Sequence, residues 1–256
     1  MKDTLVFNNQ KLDFKIAVAQ VSSLKGNIEA NTTTHIRAIK AASQSDVSYI
    51  VFSELSLTGY EPELAVELAF TTYDDRLRPL INAARQYQIC VVAGAPLEAK
   101  PLPQTGAIIV SPSGGITVYS KMNLHNGEDM YFSSGNNLVI IECLGQRIAN
   151  AICADTNAPD HVQAYVQKGA TIYTAGVLIT TEGYDVDTEK MESYAQKYGI
   201  LVAMANYNQP TGGWKAIGKS AIWSPAGRLA LANETQEALV IAHETPEGWV
   251  GELIEI

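Results

Sequence analysis

Short apolar segments rich in β-branched residues alternate with longer stretches of helical period, and that alternation narrows the possible folds more than any other feature of the chain. FKIAVAQV (14–21) precedes a predicted helix over residues 27–43, VSYIVFSE (47–54) precedes a second over 74–87, and ICVVAGAP (89–96) follows. Strands joined by helical crossovers of this length pair in parallel. The middle of the chain changes character. AIIVSPSGG (107–115) and ITVYSK (116–121) read as a hairpin about a Ser-Pro-Ser-Gly-Gly turn, and residues 138–153 hold two strands about Gly145. A predicted helix at 159–168, the strand TIYTAGVL (171–178), a helix at 186–198 and the strand ILVAMANYN (200–208) come next. SAIWSPAGRLALAN (220–233) repeats the hairpin pattern, a hint of two similar halves, and EALVIAHE (237–244) is the last strand expected.

No Gly/Ser linker, charge block or short-period repeat interrupts this order, so the reading is one α/β domain over residues 1–256, with mixed sheets covered by helices. A chain of 256 residues can bury a large core, and 46% hydrophobic against 18% charged residues excludes a disordered one. The formal net charge of −9 works against polyphosphates and anionic lipid surfaces, so neither nucleic acid nor membrane is an expected partner. Apolar runs such as 148–154 and 200–205 fall far short of the roughly 18–20 residues that cross a bilayer. MKDTLVFNNQKLDFK at the start lacks the apolar stretch of a signal peptide. Cys90, Cys143 and Cys153 are widely spaced, with no CxxC pair and no His at metal-ligand spacing. That argues against a disulfide framework or a zinc site and for a reducing, cytoplasmic setting with a free thiol.

Three apolar strands end on a chemically useful residue. VSYIVFSE ends on Glu54, ITVYSK on Lys121 and RIANAIC on Cys153, each just before a turn-rich segment. Loop ends held by a rigid sheet are where α/β folds place their chemistry. A carboxylate, an ammonium and a thiol suffice for covalent catalysis: the carboxylate takes the thiol proton, while the ammonium lowers the thiol pKa and steadies an oxyanion. Each residue also has an ordinary reading. A buried Cys is usually a small hydrophobe, Glu54 a helix cap or solvated residue, and Lys121 a surface cation.

The stretches FSELSLTGY (52–60), YSKMNLHNGEDMYFSSG (119–135) and NAICADTNAPD (150–160) resemble the Glu, Lys and Cys motifs of the nitrilase superfamily of carbon–nitrogen hydrolases, in the same chain order. KIAVAQ and KSAIWSPAG extend the resemblance over almost the whole chain. It implies a four-layer α-β-β-α sandwich and pairing into a homodimer or larger assembly. It also implies Glu54 as general base, Lys121 as electrostatic stabiliser, Cys153 as nucleophile, and Glu128 as a second glutamate that orients Lys121 or helps with proton transfer. The Ala154 backbone N–H is the implied second oxyanion donor. The implied substrate is a small amide, cleaved through a thioester with no metal or organic cofactor. A nitrile, passing through a thioimidate, is the alternative substrate, and a binding or scaffold protein that has lost turnover is the alternative function.

Departures from the family pattern bear on substrate. Asp155, Pro159 and Asp160 keep their places after Cys153, but Asn157 stands where many family amidases carry Arg, and Ala158 where they carry Phe. Asn offers only neutral hydrogen bonds, which counts against a carboxylate-bearing substrate unless another basic residue supplies the charge. The segment between Lys121 and Glu128 is short compared with many relatives, Ser53 replaces a frequent Pro, and Asn123 a frequent His. Tyr60 is a candidate pocket wall, or equally a structural tyrosine. His125 and Trp214 lie in loops that either border the site or face solvent.

Overall fold

The structure, a computed structural model, describes residues 4–7 and 13–256. Most of the first fifteen residues, on which the signal-peptide reading rests, therefore lie outside it. The elements in chain order are β1 (Thr4–Phe7), β2 (Lys15–Gln20), α1 (Ile28–Gln44), β3 (Tyr49–Val51), α2 (Ala65–Leu68), α3 (Arg78–Tyr87), β4 (Cys90–Leu97), β5 (Gln104–Val110) and β6 (Ile116–Ser120). Then follow β7 (Ile140–Cys143), β8 (Gln146–Ile152), α4 (Pro159–Gln167), β9 (Ile172–Gly176), α5 (Thr181–Tyr198), β10 (Leu201–Ala205), β11 (Ala221–Ser224), β12 (Gly227–Leu231), β13 (Ala238–Thr245) and β14 (Gly248–Glu255).

Two seven-stranded sheets form, in the orders β1-β7-β8-β9-β10-β11-β12 and β14-β13-β2-β3-β4-β5-β6. The crossover units pair in parallel as expected, β2 with β3 and β3 with β4, while the SPSG hairpin gives antiparallel β5 and β6. The run from β7 to β12 repeats the pattern of the run from β13 through β2 to β6. Each has an antiparallel pair, two parallel pairs and two more antiparallel pairs. The hint of two similar halves is thus realised in strand order.

Period-two alternation within the strands builds the layers. In β2, Ile16 and Val18 face the other sheet and pack with Ile141, Ile148 and Ile172, while Ala17 and Ala19 face α1 and α3. Helices α4 and α5 cover the second sheet through Val162, Tyr165, Met191 and Tyr194, which completes the α-β-β-α sandwich. Asn27 caps α1 by accepting from the Ala30 N–H, and Asn31, His35, Ala38, Ile39 and Ala42 then make one buried stripe at helical spacing.

Four elements differ from the sequence reading, one of them the short helix α2, which the sequence does not predict. β13 is not the last strand, because β14 pairs along its full length. GWVGELIE escapes notice because it carries two glycines and is largely exposed, so it lacks a strand's apolar alternation. β1 adds an unpredicted parallel edge beside β7. Helix α5 starts at Thr181 and not at 186, since its first turns hold Gly183, Asp185 and Asp187 instead of an apolar period.

Candidate active site

Glu54 lies just past β3 and Lys121 immediately past β6 in one sheet, and Cys153 immediately past β8 in the other. The strand ends bring all three together. Lys121 Nζ donates to Glu54 Oε1 at 2.7 Å and to Glu128 at 2.7 and 2.9 Å, with all three side chains buried. Glu54, Glu128 and Cys153 line a cavity of about 260 Å³. Lys121 lies fully buried behind them.

The backbone around each residue is constrained. Glu54 is followed by Leu55 at φ 52°, and its turn is gripped between the two sheets. A Cβ on Gly94 of β4 would sit 2.3 Å from the Leu55 nitrogen, and one on Gly176 of β9 would sit 2.5 Å from the Phe52 carbonyl oxygen. Tyr207 fixes the same turn by donating its hydroxyl to the Glu54 carbonyl at 2.6 Å. Cys153 itself sits at φ 41°, in the left-handed region that costs a non-glycine residue of order 1 kcal/mol or more. This bend aims the thiol off the end of β8, where it meets the Leu178 carbonyl at 3.6 Å.

Glu128 is saturated. Besides Lys121 it accepts from the Tyr60 hydroxyl at 2.8 Å and from the His125 backbone N–H at 2.6 Å. Tyr60 does line the cavity, but its polar end is committed to Glu128. Ala154 is buried in the turn beside Cys153. Asn157 is exposed on the cavity rim, where its Oδ1 accepts from Lys190 Nζ at 2.5 Å. His125 and Trp214 both border the cavity as well.

Asp155 is the residue whose part the sequence reading missed. Fully buried, its Oδ1 accepts from Met122 N, Asn123 N and Asn123 Nδ2 at 2.8–3.1 Å, and its Oδ2 from Tyr119 Oη at 2.6 Å and Ile152 N at 3.0 Å. One carboxylate therefore ties the chain on either side of Lys121 to the residue before Cys153. His161, kept neutral by burial that lowers its pKa, continues the network from Tyr119 to Tyr173 at 2.8 Å each. No local signal shows this hub, because its partners on the Lys121 segment lie more than thirty residues away in sequence.

Electrostatics follow from burying one ammonium with two carboxylates. Burial pushes the Glu54 carboxyl up to about 7; Lys121 opposes this, Glu128 adds to it, and a hydrogen bond from the Cys153 thiol lowers it slightly. Burial works against the Lys121 charge, but Glu54 and Glu128 outweigh it and its pKa is raised. The Cys153 thiol is raised by burial and by Glu54, with Lys121 pulling the other way. The expected acidification of the thiol by Lys121 is thus present only as one contribution and is outweighed. In the free protein the sulfur is a thiol beside a carboxylate poised near neutrality.

The sequence pattern of the carbon–nitrogen hydrolase family matches residues 15–249, and the chain belongs to that family, within the nitrilase superfamily. Among curated proteins it is 27% identical over 198 residues to an (R)-stereoselective amidase of a Pseudomonas species, covering 75% of this chain and 70% of that one. It is 26% identical over 242 residues to a nitrilase of Pyrococcus abyssi, covering 89% and 88%. Among solved structures it superimposes on a mutant of an amidase from Nesterenkonia sp. AN1 with a TM-score of 0.84 at 22% identity, covering 93% and 92%. Among the described residues no helix is long and apolar enough to cross a membrane.

Proposed function

We propose that the protein hydrolyses the C–N bond of a small amide through a thioester on Cys153. The observation that carries this reading is Lys121 Nζ, held 2.7 Å from both Glu54 and Glu128 behind a cavity that Cys153 lines. A carboxyl near pKa 7 is matched to accepting the proton of a thiol that is not ionised on its own. Cys153 Sγ attacks the amide carbonyl while Glu54 takes the thiol proton, and the oxyanion lies between Lys121 Nζ and the Ala154 backbone N–H. As the tetrahedral adduct collapses, Glu54 returns the proton to the departing nitrogen and ammonia or an amine leaves. Water, deprotonated by Glu54, then adds to the thioester, the C–S bond breaks, and the sulfur recovers its proton as the carboxylic acid is released. Glu128 keeps Lys121 Nζ in place, and Tyr60 keeps Glu128.

The amidases among the relatives favour an amide, while the Pyrococcus abyssi nitrilase keeps a nitrile as the alternative substrate. The Nesterenkonia amidase has been described with butyramide and with an acetamide moiety added covalently to its active-site cysteine. A cavity of about 260 Å³ lies at the small end of ligand pockets, which run from roughly 300 Å³ upward. The test is ammonia release from a panel of short-chain amides, with nitriles as the comparison. The reading requires turnover of amides that Cys153→Ala abolishes. Turnover confined to nitriles, or undiminished in Cys153→Ala, would overturn it.

A further inference from the structure

Carboxylates dominate the cavity's ionisable lining. Glu54, Glu128 and Asp187 border it, while none of its lining residues is Lys or Arg. Lys121 behind the floor is already shared by two carboxylates. Leu178 and Ile179 supply the apolar side chains of the same lining, which also includes Asp187 on the second turn of α5. The Asp187 carboxylate has no hydrogen-bond donor among the described residues, and its one ion-pair partner, Lys190 Nζ, stays 3.7 Å away because that ammonium is drawn to Asn157 Oδ1 at 2.5 Å. The Lys190 side chain is 40% exposed, against 21% for Asp187. Across the mouth, the half-exposed Trp214 is presented by a Thr-Gly-Gly-Trp turn closed by two backbone hydrogen bonds. An anionic group and an aromatic ring lining one cavity are a setting for a cation.

Building on the amide-hydrolase reading, we propose that the cavity selects amides whose far end carries an ammonium group, with Asp187 as the residue that recognises it. The acyl chain runs along Leu178 and Ile179, the amide reaches Cys153, and the terminal cation meets Asp187 near the Trp214 ring. Lys190 does not offer a rival site for a carboxylate, because it is not among the lining residues and its ammonium is already held by Asn157 and Asp187.

Three amides of matched length test this: hexanamide, 5-aminopentanamide and 4-carbamoylbutanoate, each titrated calorimetrically into the Cys153→Ser protein so that binding is read apart from turnover. The cationic amide is expected to bind about two- to fivefold more tightly than the neutral one, the range of a partly exposed ion pair, and the anionic amide more weakly than either. Asp187→Asn should bring the cationic-to-neutral ratio to about one, and Asp187→Ser should do the same. Equal affinities, tighter binding of the anionic amide, or no binding of any of the three would overturn the proposal. Ammonia release by the parent protein is measured alongside. Turnover without a cation preference removes this inference and leaves the hydrolase reading standing, whereas a binding preference without turnover does the reverse.

Discussion

Asp155→Asn is the substitution whose consequence can be worked out most fully. The aspartate accepts five hydrogen bonds with its two oxygens, and asparagine has one oxygen. The least costly orientation keeps the oxygen toward Met122 and Asn123 and turns the amide nitrogen toward Tyr119 and Ile152. Tyr119 can adapt by donating to His161 and accepting from the new amide, since its hydroxyl already lies 2.8 Å from His161 Nε2. The Ile152 N–H cannot adapt and faces a donor. One buried donor left unsatisfied costs about 1–3 kcal/mol, and losing the charge on the remaining contacts brings the total to roughly 2–4 kcal/mol. The residue that moves directly precedes Cys153, so catalysis suffers beyond stability: a shift of about 1 Å at a nucleophile costs on the order of 100-fold. Urea unfolding should show a lower midpoint at unchanged slope, and steady-state ammonia release should show a loss in kcat with a much smaller change in KM. A midpoint within error of the parent together with kcat within twofold would refute the hub's role in holding the site.

Other outcomes follow from the same geometry. Activity should rise with pH through about 7, because Glu54 must be unprotonated to accept the thiol proton and its pKa is raised to that value; a pH–rate profile flat between 5.5 and 8 contradicts this. The contribution of His35 to stability should fall as pH drops from about 6.5 to about 4, opposing the gain from Glu54, whose raised pKa makes the folded chain bind its proton first. His35 is fully buried with its pKa lowered to about 4 by burial, so the unfolded chain binds the proton first. The full effect is about 3 kcal/mol, read as the pH dependence of the difference in urea midpoint between the parent and His35→Asn; a difference that does not change between about pH 7 and about pH 4 would refute it. Gly94→Ala should destabilise by roughly 1–3 kcal/mol and depress kcat, since the new methyl meets the backbone of the Glu54 turn on a rigid strand; a kcat equal to the parent's would show that the turn is not held there.

The parts of the site legible in the sequence are those where a polar residue ends an apolar strand. Glu54, Lys121 and Cys153 each break such a run, and a strand end fixes direction as well as position. Glu128 was found through its motif. The rest depends on contacts distant in sequence. Asp155 looks like any acid in a turn until Tyr119 and Asn123 are folded against it, and Asp187 lies in helical turns that carry no apolar period. Gly94 and Gly176 sit in apolar strands, and nothing local tells that the Glu54 turn passes between them. The layers were legible because alternation marks a strand's two faces, whereas the exposed β14 hides behind its glycines.

The central claim, that Cys153 carries the acyl group, is tested most directly by intact mass after rapid acid quench of the protein turning over a short-chain amide. The account predicts a species heavier than the free chain by the acyl group less one hydrogen, mapped to the peptide bearing Cys153 and absent in Cys153→Ala. Steady turnover with no such species at any quench time, or an adduct on another residue, would contradict it.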